Sequence, residues 1–208
     1  MRGYYFITDA RLSLAGNVND VTQAVAAGAP VVQYRSNGLC TREMFAEARA
    51  LRQLCRQTRF LVNDRVDLAL AVQADGVHLG QDDLPLAAAR ALLGANAIIG
   101  VTVHNLEEAR AAELGGADYL GVSPIFATQT KPDAGAPAGI GLLQQLRRAT
   151  RLPLVAIGGI TLQNAPEVIG AGADCVCAIS AVVTRSDVKE AVEQFQRLFD
   201  PQTAHRTG

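Results

Sequence analysis

Short runs of β-branched residues alternate along the chain with longer stretches in which Ala and Leu recur at helical spacing. Such runs are typical of buried strands, and apolar residues recurring every three or four positions are typical of amphipathic helices. The runs predict strands at residues 4–8, 31–35, 60–63, 76–79, 98–101, 119–122, 154–157 and 175–179. The stretches between and after them predict helices at residues 21–27, 42–56, 66–72, 85–93, 106–114, 141–150, 165–169 and 188–199.

A small residue followed by Ala or Asp recurs where the predicted helices lead into strands, at Gly28-Ala29, Ala74-Asp75, Ala117-Asp118 and Ala173-Asp174. Small residues suit the end of a helix, and Ala or Asp can turn the chain into the next strand. We interpret this repeat as structural rather than catalytic.

Eight consecutive βα units in about 200 residues match the lower size limit of a (β/α)8 barrel with right-handed crossovers. We therefore predict an α/β fold, a single (β/α)8 TIM barrel over residues 1–200, followed by a polar tail at 201–208 that we expect to be disordered. An open doubly wound sheet is the alternative, because periodicity does not reveal whether a sheet closes.

The composition agrees with a parallel sheet covered by helices, since 49% of the residues are hydrophobic but only 5% are aromatic and none is Trp. A formal charge of −1, from 19 basic and 20 acidic residues, provides no overall field for nucleic acid or a membrane surface. We expect neither as a partner, so any bound anion needs a local site. Small molecules are the expected partners, and a homo-oligomer is compatible with the sequence.

The four cysteines lack the paired spacing of a zinc site, and a domain of this size needs no disulfide framework. The N-terminus has no apolar segment like that of a secretion signal, and no apolar run approaches the ~18 residues of a membrane span. These features predict reduced thiols in a cytoplasmic protein.

In a (β/α)8 barrel the active site lies in the loops that follow the carboxyl ends of the strands. Polar residues cluster at these predicted ends, and they include Gln33, Arg35, Asn63, Asp64, Asp83, Thr102, His104, the loop from 123 to 131, Gly158, Gly159 and Ser180. This clustering predicts a site built from most of the strands.

Asp64 and Asp83 follow adjacent predicted strands, so their carboxylates can converge at the top of a closed barrel. Paired carboxylates without clustered His or Cys suit Mg²⁺, which keeps several waters and shares phosphate oxygens of its ligand. The alternative is that both are helix N-caps. Asp82 is a weaker candidate, because we expect it to face outward.

Thr128, Thr130 and Lys131 lie in a loop, residues 123–139, that is too polar and too broken by Gly and Pro to be core. Two hydroxyls and an ammonium within four residues could clamp a diphosphate. Lys131 is also one of only two lysines in the chain, the other being Lys189. The alternative is a mobile, solvated loop.

Gly158 and Gly159 end the seventh predicted strand, and Ser180 follows the eighth. The last two loops of such barrels commonly bind phosphate, because glycines let backbone N–H groups approach its oxygens. The alternative is a tight turn without a ligand. Of the histidines, we expect His78 to be a satisfied interior residue, whereas His104 is a candidate catalyst.

Five motifs, in this order and spacing, resemble those of the thiamine-phosphate synthase family over nearly the whole chain. They are Gln33-Tyr34-Arg35, Asn63-Asp64-Arg65-Val66-Asp67, Gly76-Val77-His78-Leu79-Gly80-Gln81-Asp82-Asp83, Pro124-Ile125-Phe126-Ala127-Thr128-Gln129-Thr130-Lys131 and Ala156-Ile157-Gly158-Gly159-Ile160. The resemblance implies an Mg²⁺-dependent transferase that joins 4-amino-2-methyl-5-hydroxymethylpyrimidine diphosphate to thiazole phosphate, releasing pyrophosphate.

The resemblance also implies roles for particular residues. The pyrimidine diphosphate would be held by Gln33, Arg35, Asn37, Asn63, Thr102 and Lys131, with Mg²⁺ on Asp64 and Asp83. The thiazole phosphate would be held by Thr128, Thr130, Gly159, Ile179 and Ser180. Arg35, Lys131 and Thr102 would be catalytic, and Thr102 stands where the family usually has Ser.

One residue departs from the family pattern, because Asn37 stands where a lysine is usual. An amide brings no positive charge, and losing a charged contact costs about 1.5–3 kcal/mol unless another cation compensates. Two alternatives stay open, and Asn37 supports only the second of them. One is a thiazole tautomerase, a similar barrel with a catalytic His at the position of His104 but without the metal carboxylates, and the other is a catalytically silent regulator that binds thiamine precursors.

Overall fold

The structure is a computed structural model that describes residues 1–130 and 135–200. Eight parallel strands lie in sequence order around a closed barrel, with β8 paired to β1, so the predicted (β/α)8 TIM barrel is confirmed. The strands are β1 (Gly3–Ile7), β2 (Val31–Tyr34), β3 (Arg59–Asn63), β4 (Gly76–Leu79), β5 (Ile98–Val103), β6 (Tyr119–Val122), β7 (Leu154–Ile157) and β8 (Cys175–Cys177). Closure rules out the open sheet.

The helices of the described ranges surround the barrel, and most of them pack directly against its strands. They are α1 (Asn17–Ala26), α2 (Thr41–Leu54), α3 (Val66–Val72), α4 (Leu86–Leu93), α5 (Leu106–Leu114), α6 (Gly139–Ala149), α7 (Ala165–Gly170), α8 (Ile179–Val183) and α9 (Val188–Arg197). In α9 the buried residues Val188, Ala191, Val192 and Phe195 follow the 3.6-residue period. None of these described helices is both long and apolar enough to cross a membrane.

The eighth strand is shorter than predicted, because β8 ends at Cys177 and Ile179 begins the short helix α8. The sequence Ile-Ser-Ala-Val-Val of α8 is mostly β-branched, which is typical of strands, and five residues are too few to display a helical period. The predicted strand at 175–179 was therefore wrong over its last residues. The correction matters, because Ile179 and Ser180 now lie in the first turn of a helix.

The recurring aspartates tie neighbouring strands together at the amino-terminal end of the barrel, away from the predicted site. Asp75, Asp118 and Asp174 each accept the backbone N–H of a residue in the preceding strand, at 2.7, 2.8 and 2.9 Å. Each also pairs with an arginine from an even-numbered helix, namely Arg52 on α2, Arg90 on α4 and Arg147 on α6. The interpretation of the repeat as structural is confirmed.

Where the repeat has Ala29 in place of Asp, a glutamine from α9 accepts the strand N–H and donates to the junction backbone. Gln196 Oε1 accepts the N–H of Tyr4 at 2.9 Å, and Gln196 Nε2 donates to the carbonyl of Gly28 at 2.6 Å. In each of the four junctions a side-chain oxygen accepts a strand N–H. These bonds join β1 to β2, β3 to β4, β5 to β6 and β7 to β8. This frame leaves the opposite end of the barrel available for chemistry.

Asp20 on α1 is a buried carboxylate whose two oxygens form no hydrogen bond of ordinary geometry. Burial raises its pKa, and the nearby Ser13 and Asn19 side chains offset part of the rise. A raised folded-state pKa means that the fold favours the protonated form. The protonated Asp20 side chain therefore contributes to the stability of the fold at acid pH, and this contribution is lost as the pH rises through the folded-state pKa.

We therefore expect Asp20→Asn, which resembles the protonated carboxyl, to unfold a few degrees above the native chain at pH 8. A difference of ~1 kcal/mol shifts the melting temperature of a domain of this size by about 2–4 °C. Near pH 4 the gap should close, because the carboxylate then takes up its proton. Thermal unfolding at both pH values is the measurement, and Glu113→Gln on the exposed face of α5 is the control. An equal gap at both pH values would contradict the explanation.

Candidate functional site

A polar cavity of about 570 Å³ opens at the carboxyl ends of the strands. It receives side chains from the ends of most strands, as the positions of polar residues along the sequence indicated. Of the predicted site residues, its lining includes Gln33, Arg35, Asn37, Asn63, Asp64, Asp83, Thr102 and Thr130. The proposed pyrimidine diphosphate ligands that the structure describes therefore share one cavity; Lys131 lies outside the described residues.

A smaller cavity of about 50 Å³ adjoins the first, beside the loops after β6, β7 and β8. It brings together all the residues predicted to hold the thiazole phosphate, namely Thr128, Thr130, Gly159, Ile179 and Ser180. The two cavities share the lining residues Arg35, Ser123, Thr130 and Ile157. Ligands in the two cavities would therefore meet at Arg35.

Asp9 holds two arginines against the larger cavity. Its Oδ2 accepts Arg35 Nη2 at 2.8 Å and Arg11 Nη2 at 3.4 Å, and its side chain is only 2% exposed. The Thr8 hydroxyl donates to the Arg35 carbonyl and accepts the Arg35 N–H, both at 2.9 Å, which fixes the end of β2 against β1. Both arginines line the cavity, so this part of its wall carries positive charge.

The neighbouring part of the wall, after β3 and β4, is acidic, with Asp64, Asp82 and Asp83 in the lining. Asp82 is exposed, as expected, and it also contributes to the cavity lining. The N-cap alternative fails, because α3 is preceded by Arg65 and α4 by Pro85 at the capping positions. Among the residues that the structure describes, no three His, Cys, Asp or Glu side chains form a metal cluster, so any metal here would need ligand or water oxygens as well.

Local backbone structure fixes both predicted metal carboxylates. Asp64 has φ of +61° and donates its N–H to the His78 carbonyl at 2.8 Å, which ties the end of β3 to β4. Asp83 Oδ2 accepts the Gly80 N–H at 2.6 Å. A Cβ on Gly80 would lie 3.0 Å from this oxygen, so a side chain at position 80 would press against the Asp83 carboxylate.

A hydrogen-bonded chain crosses the barrel interior beneath the larger cavity. It runs from Gln33 Nε2 to Tyr5 Oη (3.0 Å), Tyr119 Oη (2.8 Å), His78 Nδ1 (2.8 Å) and, from His78 Nε2, to Thr102 Oγ1 (2.8 Å). His78 is thus satisfied, as expected, but it also lines the cavity.

Two glycines make room for these rings in the barrel. A Cβ on Gly100 would fall 1.9 Å from Tyr119 Cζ, and one on Gly121 would fall 2.8 Å from His78 Cε1. Sequence reasoning missed Tyr5 and Tyr119, although glycines inside predicted strands are a signal that another group approaches closely.

His104 lines the larger cavity from an exposed position after β5. Its Nδ1 lies 3.0 Å from Glu108 Oε2, and Glu108 also accepts the His104 N–H at 2.7 Å. Asn105 caps α5 by accepting the Glu108 N–H at 2.9 Å. His104 is therefore held by the start of a helix.

The smaller cavity is shaped by Gly158 and Gly159, whose φ angles are +103° and +62°. A Cβ on Gly159 would lie 2.6 Å from the Ala127 carbonyl oxygen, so the loops after β6 and β7 pack closely. Phe126 N donates to the Gly158 carbonyl at 3.0 Å and maintains this contact. Glycine at 159 thus serves the approach of the two loops.

A further groove of about 570 Å³ lies between α4 and α5, outside the barrel. Its described lining is mostly apolar, and it includes Asp83 from the predicted site together with the polar residues Gln81, Asn105, Glu107 and Glu108. Among the described residues, the lining of the groove contains no arginine or lysine, so the groove is a poor match for phosphate.

A closed parallel barrel with a cationic wall, an acidic wall and an adjoining glycine-lined pocket at its carboxyl end defines a phosphate-handling enzyme of the (β/α)8 class. The chain belongs to the thiamine monophosphate synthase family, because residues 4–182 match that family.

Similar proteins support this assignment along nearly the whole chain. A thiamine-phosphate synthase from Chloroflexus aurantiacus is 52% identical over 197 residues, which is 93% of this chain and 91% of that protein. One from Methanosarcina mazei is 49% identical over 193 residues, 92% of this chain and 80% of that protein. The solved thiamine phosphate pyrophosphorylase from Pyrococcus furiosus superposes with a TM-score of 0.87 at 43% identity and covers 95% of both chains.

Proposed function

We propose that this protein is a thiamine-phosphate synthase that joins 4-amino-2-methyl-5-hydroxymethylpyrimidine diphosphate to thiazole phosphate. The observation that carries the proposal is the pair of adjoining cavities with Arg35 at their boundary. The larger cavity has room and charge for the diphosphate, and the smaller one accommodates the terminal phosphate of the second substrate. This arrangement suits a transfer between two phosphorylated molecules within the family to which the chain belongs.

In the proposed reaction the bond between the pyrimidine methylene carbon and the diphosphate oxygen breaks, and its electron pair leaves with pyrophosphate. The thiazole nitrogen then donates its lone pair to the methylene carbon and forms the new C–N bond. The chain's own contribution is to hold both reactants at the shared boundary and to stabilise the negative charge that develops on the leaving group. Arg35 and Arg11, fixed by Asp9, provide that stabilisation.

We further propose Mg²⁺ on Asp64 and Asp83. Hard oxygen ligands on one wall of a phosphate-sized cavity suit this cation, which binds through one or two carboxylates plus substrate phosphates and waters. When bound, Mg²⁺ would act as a Lewis acid toward the leaving pyrophosphate. A cytoplasmic location is part of the same proposal, supported by four cysteines that are all free thiols.

The test of the function is pyrophosphate release by the purified chain. Release is expected only when the pyrimidine diphosphate, thiazole phosphate and Mg²⁺ are all present, and thiamine phosphate should accumulate in equal amount. A chain that binds the precursors without releasing pyrophosphate would be a regulator. Isomerisation of a thiazole phosphate with no requirement for the diphosphate would instead indicate a tautomerase.

Arg11 compensates for the missing lysine at position 37 in this proposal, because Arg11 and Asn37 line the same cavity. Asn37→Lys alone should leave the KM for the pyrimidine diphosphate level or slightly raised, since a second cation would crowd the first. Arg11→Gln should raise that KM about tenfold, and adding Asn37→Lys to it should recover most of the loss. Steady-state kinetics at saturating thiazole phosphate provides the measurement.

The control for this series is Arg110→Gln, which removes the same charge from the exposed face of α5. It should change neither KM. An unchanged KM in Arg11→Gln would show that Arg11 does not contact the diphosphate. A tenfold gain from Asn37→Lys in the native background would instead mean that the cavity lacks a cation.

A further inference from the structure

We infer that Tyr5, Tyr119 and His78 are positioning residues that set the hydrogen-bond polarity of the cavity floor, so that Thr102 donates to the substrate and Gln33 accepts from it. The inference deepens the proposed function, on which it rests for the identity of the ligand. It names the part of the substrate that the floor recognises: an edge with a ring-nitrogen acceptor beside an amino donor.

The first step concerns the direction of the bond between the two tyrosines. Gln33 Nε2 donates to Tyr5 Oη at 3.0 Å, so the Tyr5 oxygen already accepts one hydrogen bond. The hydroxyl of Tyr119, at 2.8 Å, is the acceptor in reach of the Tyr5 proton. The opposite direction would leave a buried hydroxyl proton without an acceptor, which is unfavourable. Tyr5 therefore donates to Tyr119.

The same reasoning fixes the direction of the hydrogen bond between Tyr119 and His78. Tyr119 accepts from Tyr5 and has one proton of its own, and His78 Nδ1 lies 2.8 Å away. Both tyrosines are almost fully buried, and burial raises the pKa of each hydroxyl, so both stay protonated at neutral pH. Nδ1 of His78 is then the acceptor, and the ring carries its proton on Nε2.

The chain ends at Thr102, whose Oγ1 lies 2.8 Å from His78 Nε2. Because Oγ1 accepts the Nε2 proton, the threonine hydroxyl proton is left for the cavity that Thr102 lines. At the other end, Gln33 lines the same cavity and donates its amide nitrogen to Tyr5, which leaves Oε1 as the amide atom that can accept a hydrogen bond from a ligand. One donor and one acceptor match the ring nitrogen and amino group of an aminopyrimidine.

The tautomer of His78 is directly measurable, independently of catalysis. The chain has only three histidines, so ¹⁵N-histidine labelling gives a simple spectrum, and a His104→Asn variant helps to assign it. Nitrogen shifts separate a protonated ring nitrogen from an unprotonated one. We expect His78 of the native chain to be protonated on Nε2 alone, and we expect Tyr119→Phe, which removes the donor to Nδ1, to give a mixture of tautomers.

Kinetics supplies the second readout. Tyr119→Phe should raise the KM for the pyrimidine diphosphate about tenfold and leave the KM for thiazole phosphate unchanged, because one hydrogen bond to the pyrimidine edge is lost. The matched control is Tyr34→Phe, which removes another buried hydroxyl that bonds Glu47 at 2.8 Å outside the cavity. It should change neither the His78 spectrum nor either KM. If Tyr119→Phe does not fold, Tyr5→Phe tests the same hydrogen-bonded chain, because it removes the hydroxyl that donates to Tyr119. The two measurements are the same.

A native His78 protonated on Nδ1 would overturn the inference, and so would equal changes in both KM values. A wild-type chain that makes no thiamine phosphate would end the proposed function while leaving the tautomer measurement valid. The two failures are therefore distinguishable.

Discussion

Replacing Asp83 or Asp64 by Asn is expected to lower kcat about 100-fold or more while leaving the fold intact. Each exchange removes one charged oxygen ligand of the proposed Mg²⁺, and the loss of one preorganised group that stabilises developing charge costs about 10²–10³-fold in other enzymes. The backbone should tolerate both changes. Asn accepts the Gly80 N–H as Asp83 does, and Asn adopts the positive φ of Asp64 readily.

The informative comparison is Asp82→Asn, which removes the same charge from a neighbouring residue of the same loop and cavity. If Asp64 and Asp83 hold the metal, this variant should lose less than about tenfold in kcat, an effect on the field of the cavity alone. Titration of each variant with Mg²⁺ is the measurement. Native Mg²⁺ dependence in both Asp64→Asn and Asp83→Asn would remove the metal from the proposed site.

The barrel could be predicted from the sequence because its evidence is local. Strand runs, helical periods and the Ala-Asp junctions each lie within a few neighbouring residues, and their repetition indicates one kind of unit. Closure is not local, because it depends on the pairing of Gly3 with Cys175 across the whole chain. The short helix at Ile179–Val183 was missed because five β-branched and small residues are too few to display a helical period.

The site could be predicted from the sequence only at residues whose type alone indicates their chemistry. Arg35, Asp64 and Asp83 stood out because charged residues follow strands, and the structure brings them into one cavity. Asp9 and Tyr119 did not, because their importance comes from partners distant in the chain. The Arg35–Asp9 pair spans 26 residues, and the bond between Tyr119 and Tyr5 spans 114. No spacing rule connects such pairs before the fold is known.

Arg35→Gln is expected to lower kcat/KM for both substrates about 100-fold or more, because Arg35 lines both cavities. The same exchange should also lower the melting temperature. It leaves the buried Asp9 carboxylate with only Arg11, at 3.4 Å, as a charged partner. Removing one partner of a buried ion pair costs up to about 3–5 kcal/mol, and the remaining arginine should keep the cost below that.

The double variant Arg35→Gln with Asp9→Asn separates these two effects. Neutralising Asp9 removes the uncompensated buried charge, so thermal stability should return most of the way to that of the native chain, whereas kcat/KM should stay low because no cation is restored at the boundary of the cavities. Arg147→Gln, at the opposite end of the barrel, is the control for stability alone: it loses the contact with Asp174 at 3.0 Å and should melt earlier with native kcat/KM at 25 °C. Recovery of activity in the double variant would mean that Arg35 acts only by neutralising Asp9, and the leaving pyrophosphate would then need another cation to stabilise it.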